Sequence, residues 1–237
     1  MVFVGVSTCP NNSSKQFVQI IRPNNLPKQT QSIILLTLFT NKVKLTHTMH
    51  LSDTDIKKAL ISGDIIIKDF DPNRLQPASY DILLGDEFIV FDNHKSDCID
   101  PKENPEKYTR KIKLQGDDSY FVLHPSEFAL GVTFDYFGVS QKYACQIMGK
   151  SSLARLGLII HTTAGFVDPG NQLKATLEFV NVNTLPIRLY PKMKIAQIAF
   201  YELKSPATKG YGHPDLNSKY HMSKTVEKSQ MWKNFSK

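Results

Sequence analysis

The densest run of chemistry-bearing side chains lies between Gly149 and Arg155. It holds a glycine, two hydroxyls at Ser151 and Ser152, and two cations at Lys150 and Arg155, with Leu153 and Ala154 between them. Phosphate oxygens are bound by this mixture. Glycine lets the backbone approach, hydroxyls donate, and a guanidinium can donate two parallel hydrogen bonds. The segment is not a P-loop, because G-x4-G-K-[ST] requires glycine at 144 and the chain has Ala144. A purely structural alternative is a short helix capped by Ser151 or Ser152. A second segment, His161 to Gly170, ends in Asp168-Pro169-Gly170. Asp at the head of such a turn caps backbone amides. At the rim of a pocket the same carboxylate would accept a hydrogen bond from a sugar hydroxyl. The third segment, Ala175 to Asn181, alternates as a strand. Leu177, Phe179 and Asn181 share one face, and Thr176, Glu178 and Val180 the other. A glutamate on a strand is usually solvated, but a partly buried one can act as general base and then as general acid.

Positioning these groups falls to a series of short β-prone runs. They are Ile65–Ile67, Ser79–Leu84, Glu87–Phe91, Tyr120–Leu123, Phe128–Thr133, Ala144–Met148, Leu158–Thr162, Ala175–Asn181, Ile187–Tyr190 and Lys194–Glu202. Gly85-Asp86, His124-Pro125, Asp168-Pro169-Gly170, Leu185-Pro186 and Tyr190-Pro191 read as turns between them. One helix is predicted over Asp53–Ile61, with Ser52 as its N-cap and Gly63 as its stop. Many closely spaced strands and few helices indicate a mainly all-β barrel or sandwich. The polar, Gly- and Pro-punctuated tail from Lys204 to Lys237 reads as an arm.

Composition excludes several classes. Net charge is +7. The first 48 residues contain no acid but carry Lys15, Arg22, Lys28, Lys42 and Lys44, and without those five the balance is 24 basic against 22 acidic residues. The body of the chain is therefore nearly neutral, and a nucleic-acid-binding face is not expected. No apolar run approaches the ~20 residues of a membrane-spanning helix. Cys9, Cys98 and Cys145 form no C-x-x-C pair, which argues against a disulfide framework and a cysteine zinc site. A cytoplasmic setting follows. Residues 1–48 read either as an organelle transit peptide, which would imply import, or as an upstream extension with Met49 the true start. The extension is the reading adopted, with poor order expected there.

Taken together, the three segments resemble the dCTP deaminase family of the dUTPase-like superfamily. Supporting stretches are Leu75-Gln76-Pro77-Ala78-Ser79-Tyr80-Asp81, His124-Pro125, Ser151 to Gly157 and Leu185-Pro186-Ile187. The resemblance spans 49–235. It implies a dUTPase-like distorted β-barrel or β-clip with a short N-terminal helix and a C-terminal arm. The implied divisions are 1–48 extension, 49–203 nucleotide-binding domain and 204–237 arm. The implied reaction is hydrolytic deamination of dCTP to dUTP and ammonia, with Mg²⁺ carried on the triphosphate and no zinc. The implied assembly is a homotrimer with sites between subunits.

Residue by residue, Glu178 matches the family's proton-transferring glutamate. Ser151 and Arg155 match groups that orient water and contact phosphate from a neighbouring subunit. Lys150, where the family usually has arginine, and Ser152, Leu153 and Ala154 fall in the same phosphate segment. Asp168 matches the deoxyribose contact, Thr176 and Leu177 the backbone that reads the base, and Gln197 a further pocket position. Tyr211, Lys219 and Ser223 occupy triphosphate-side positions of the arm.

The chain departs from the pattern at Asn171, Leu173 and Ser223, which replace an aromatic residue, a glycine and a glutamine. Ala164-Gly165-Phe166 and the Tyr211-to-Lys219 spacing resemble the bifunctional branch, which releases dUMP. The rivals are a dUTP diphosphatase and a non-catalytic nucleotide-binding trimer. A zinc cytidine deaminase lacks its H-x-E and P-C-x-x-C motifs here. Deleting residues 1–48 is expected to leave soluble expression and dCTP turnover unchanged. An insoluble truncated protein would contradict the extension reading.

Overall fold

The computed structural model describes residues 49–236 except Asn93, Asp117 and Thr162. The expected extension over 1–48 lies outside the described residues.

Helix α1 (Asp53–Ile61) begins where the Ser52 hydroxyl oxygen accepts the Asp55 N–H at 3.4 Å. It ends before Gly63, whose φ of 75° is the left-handed conformation that stops helices. Ile56 and Ala59 form its buried face. The strands before the phosphate segment are β1 (Met49–His50), β2 (Ile65–Ile67), β3 (Leu75–Gln76), β4 (Ser79–Phe91), β5 (Thr109–Lys113), β6 (Phe121–Leu123), β7 (Phe128–Thr133), β8 (Phe137–Val139) and β9 (Tyr143–Gly149). After helix α2 (Ser151–Ala154) come β10 (Leu158–Ile160), β11 (Phe166–Val167), β12 (Gln172–Leu173), β13 (Thr176–Asn181), β14 (Ile187–Leu189) and β15 (Lys194–Glu202).

The main sheet follows the order β10-β13-β7-β4-β15-β9-β11, with β1 on β15 and with β3 and β5 on β4. A second sheet is β12-β8-β2, and β14 pairs with β6. The architecture is mainly β, as expected. Its core is built around Tyr80, Phe88, Phe137, Phe179 and Phe200, none of them measurably exposed. No helix among the described residues is long and apolar enough to cross a membrane.

Two local expectations are corrected. Gly85-Asp86 is not a turn: β4 runs through it, with a register shift against β7 between Leu84 and Phe88. A Cβ at Gly85 would lie 2.8 Å from Val132 Cγ1 and 2.9 Å from Val132 O, so this glycine marks close strand approach. Neither Ser151 nor Ser152 caps α2. Lys150 holds the N-cap position and makes no side-chain capping bond, leaving both serines on the first turn with exposed side chains.

A buried polar strut sets the start of β13. Arg74 Nη1 donates to both carboxylate oxygens of Asp135, at 2.8 and 3.0 Å, and both residues are buried. Asp135 also accepts the Leu83 N–H at 2.7 Å. Its backbone carbonyl accepts the Thr133 hydroxyl at 2.8 Å, and that hydroxyl oxygen accepts the Ala175 N–H at 2.9 Å. The Thr133 N–H returns to the Ala175 carbonyl. The residue immediately before β13 is thus held from both sides. Removing one partner of a buried ion pair strands the other charge. Arg74→Met is therefore expected to destabilise the protein by about 3–5 kcal/mol in denaturant titration. A loss under about 1 kcal/mol, the scale of an exposed pair, would contradict the strut.

Candidate active site

Strand β13 places Glu178 by simple alternation. Leu177 and Phe179 are fully buried, so Thr176, Glu178 and Val180 face the half-sheltered side, and the Glu178 side chain keeps 30% exposure. The strand is flanked by β7, with Glu178 opposite Leu130. On its other edge β10 pairs only with Phe179, Val180 and Asn181. The His161 N–H closes onto the Glu178 carbonyl at 2.9 Å, just past the end of β10. Beyond that point no strand among the described residues pairs with this edge at Thr176 and Leu177, so the backbone expected to read a base is left unpaired there by strands.

The sequence by itself assigns no role to His161. Its backbone is left-handed, with φ 53°. Its side chain is only 7% exposed, and Nδ1 lies 3.6 Å from Glu178 Oε2. Burial pushes the imidazole below its usual range, against the opposing pull of the Glu178 charge and a hydrogen bond to the Ala164 backbone. The following loop returns to β9, where the Ile147 N–H donates to the Gly165 carbonyl at 2.8 Å. A Cβ on Gly165 would lie 2.6 Å from Ile147 O, so only glycine fits. No spacing rule in the sequence pairs His161 with Glu178. Their contact depends on where β10 ends against β13.

Asp168 heads the expected turn, with Asn171 N–H donating to its backbone carbonyl at 3.1 Å and Gly170 at φ 81°. Its side chain does not cap that turn. The residue is exposed, and its carboxyl makes no hydrogen bond or ion pair among the described residues. Partial burial raises its pKa.

The arm docks on the same region. The Tyr211 N–H donates to Pro169 O at 2.7 Å, Lys174 N–H to Ser223 O at 2.8 Å, and Glu227 N–H to Thr176 Oγ1 at 2.9 Å. The Tyr211 hydroxyl accepts the Tyr220 N–H at 3.3 Å. Ser223, expected on the triphosphate side, is buried instead. Its hydroxyl bonds to Thr225 O and Glu227 Oε1, both at 3.1 Å, so its side-chain hydrogen bonds lie within the arm. Lys219 is half-buried and makes no hydrogen bond or ion pair among the described residues.

The arm's anchor is Val226, buried against Ile89, Leu130 and Val132. Beside it Glu87 accepts from the Thr225 hydroxyl and from Lys111, the latter at 2.9 Å. Burial opposes ionisation of Glu87. The bonds from Thr225 and Lys111, the Lys111 charge and the Val226 N–H outweigh it and lower the pKa to about 2.

The phosphate segment gathers elsewhere. Asp81, buried, accepts Lys150 Nζ at 2.5 Å, Lys194 Nζ at 3.2 Å and Gln76 Nε2 at 3.3 Å. Lys150, expected on phosphate, is therefore bound to Asp81 within its own chain. Gln197 Oε1 accepts the Ser79 hydroxyl at 3.0 Å, and its amide donates to Gly149 O at 3.5 Å. Leu153 is the buried foot of α2. Ser151, Ser152, Ala154 and Arg155 are exposed. The two hydroxyls and the Arg155 guanidinium make no bond among the described residues. Among the described residues no hydrogen bond or ion pair joins this group to Glu178.

A family model described as dCTP deaminase-like matches residues 50–203. The chain belongs to that family. A Nocardioides protein named dCTP deaminase, dUMP-forming, is 44% identical over 187 residues, covering 79% of this chain and 97% of the relative. A Tropheryma whipplei protein of the same name is 50% identical over 172 residues, covering 73% and 87%. The solved 2'-deoxycytidine 5'-triphosphate deaminase of Agrobacterium tumefaciens has the same fold, with a TM-score of 0.51 at 18% identity. It covers 66% of this chain, and this chain spans about half, 49%, of that one.

The Glu87 latch has a pH sign. Because folding lowers this pKa, the latch contributes fully above pH 4.5, where an ordinary glutamate titrates, and is lost as pH falls towards 2. At neutral pH, Glu87→Gln removes a charged acceptor worth about 1.5–3 kcal/mol. Tryptic cleavage at Lys224 is expected to accelerate by about tenfold or more. Unchanged cleavage would place the anchor elsewhere.

Proposed function

We propose that this deaminase-family protein hydrolyses dCTP to ammonia and dUTP and carries the bound nucleotide on to dUMP and diphosphate. The observation that carries the reading is Glu178: a carboxylate half-sheltered between Thr176 and Val180, beside a backbone edge that no strand among the described residues pairs. Glu178 takes a proton from water as the oxygen attacks C4 of cytosine, and delivers it to N3. It then takes the proton of the new C4 hydroxyl and passes it to the amino group, which leaves as ammonia. The C4 carbonyl of uracil remains. One carboxylate serves as base and then as acid, which requires it to be neither fully solvated nor locked in an ion pair.

The exposed hydroxyls of Ser151 and Ser152 and the Arg155 guanidinium suit triphosphate oxygens. No hydrogen bond or ion pair among the described residues joins them to Glu178, which supports a site completed by Ser151 and Arg155 from a neighbouring copy in a homotrimer. Lys150 and Gln197 then act by bracing that segment through Asp81, Ser79 and Gly149. Asp168, at the exposed turn, accepts the sugar hydroxyl, and Tyr211 and Lys219 line the arm's side. The donor set of α2 fits phosphate rather than a metal, so Mg²⁺ would be held by phosphate oxygens, where it screens their charge. The dUMP-forming step is supported by the names of the relatives and by the resemblance of Ala164-Gly165-Phe166 to the bifunctional branch.

Incubation with dCTP and Mg²⁺ should release ammonia and yield dUMP. Glu178→Gln should lose ammonia release while keeping dCTP affinity. A dUTP diphosphatase would yield dUMP only from dUTP, and a binding protein would return dCTP unchanged. Turnover by Glu178→Gln would sink the assignment of the base.

A further inference from the structure

We infer that His161 is a positioning residue for the deamination, one whose Nδ1 accepts a hydrogen bond from Glu178 only while Glu178 carries the proton it has taken from water. The inference rests on the role proposed for Glu178.

The geometry is specific. Nδ1 is buried and has no hydrogen-bond partner. On this inference the neutral ring carries its one proton on Nε2. That tautomer leaves Nδ1 as a bare acceptor. The acidic oxygen Glu178 Oε2 lies 3.6 Å away, just beyond bonding reach. An ionised carboxylate cannot donate, so in the resting state two lone-pair-bearing atoms face each other. Once Glu178 holds a proton on Oε2, it donates to Nδ1 and the orphan is satisfied. A buried acceptor without a donor is costly, so the contact favours the protonated glutamate, the state between the two transfers. No proton need pass to the ring.

The elements around the imidazole bring one charge among the described residues. Strand β13 contributes Glu178. The loop contributes Ala164 and Gly165, and β9 lies behind Gly165 through the Ile147 backbone. If acid protonates Nδ1, the ring becomes a donor to the Glu178 carboxylate and holds it ionised and paired. Activity should then fall at a pH below the ordinary imidazole range, since burial lowers the His161 pKa.

The test uses two variants in the full chain, each with its own readout. His161→Phe keeps a ring and removes the acceptor. Its kcat should drop by about ten- to a hundredfold, with KM for dCTP little changed. His161→Asn suits the left-handed backbone, and its Oδ1 sits where Nδ1 sat. It should recover most of that kcat, and its kcat–pH profile should lack the acidic fall of the wild type. Wild-type kcat in His161→Phe, a loss confined to KM, or an acidic limb retained in His161→Asn would each overturn the inference. Glu178→Gln in the same assay separates the failures. If wild type is active and that variant is not, the role of Glu178 stands and only the role of His161 falls.

Discussion

The arrangement depends on the alternation of one strand held at a defined register. Leu177 and Phe179 are drawn fully into the core, and this turns Glu178 to the opposite side, where it is neither buried nor free. A slip of one residue would exchange the two faces and put the carboxylate into the core. The register is secured just before its first residue by Thr133, whose N–H and hydroxyl both engage Ala175, and Thr133 is itself bonded to Asp135, the partner of Arg74. Buried charge at Arg74 and Asp135 thus helps fix where the Glu178 carboxylate stands.

Polar side chains near the candidate site divide into those satisfied within the chain and those that are not. Lys150, Gln197 and Ser223 have found partners, and each now braces a neighbouring segment. Ser151, Ser152, Arg155 and Asp168 have none among the described residues. Exposed donors and acceptors held by rigid local structure are ready for a ligand without first breaking an internal bond. The replacement at Ser223 fits this division, because a short hydroxyl closes onto the arm's own backbone and carboxylate. The arm here is held by Val226 and Glu87 as well as by its bonds to Pro169, Lys174 and Thr176.

Much of the site was legible locally. The alternation at 176–181, the helix bounded by Ser52 and Gly63, and the turn at Asp168-Pro169-Gly170 follow from side-chain period and cap and turn chemistry, which act over a few residues. Strands of two or three residues, such as β3, β8, β11 and β12, were not read, because so short a run carries almost no period. Gly85 reads locally as a turn because glycine serves both turns and close strand contacts, and only the neighbour decides which.

Residue types and spacing by themselves determined that the chain is mainly β, that a hydroxyl-and-guanidinium segment ends near Arg155, and that Glu178 shares a face with Thr176 and Val180. The tertiary structure alone decided that His161 faces Glu178, that Asp81 takes the charge of Lys150, and that Thr225 bonds to Glu87, 138 positions away. The reason is physical. Period and capping are set by bonds within a turn or a strand, whereas these pairings join residues brought together only after the sheet has closed, and no local pattern encodes which strands become neighbours.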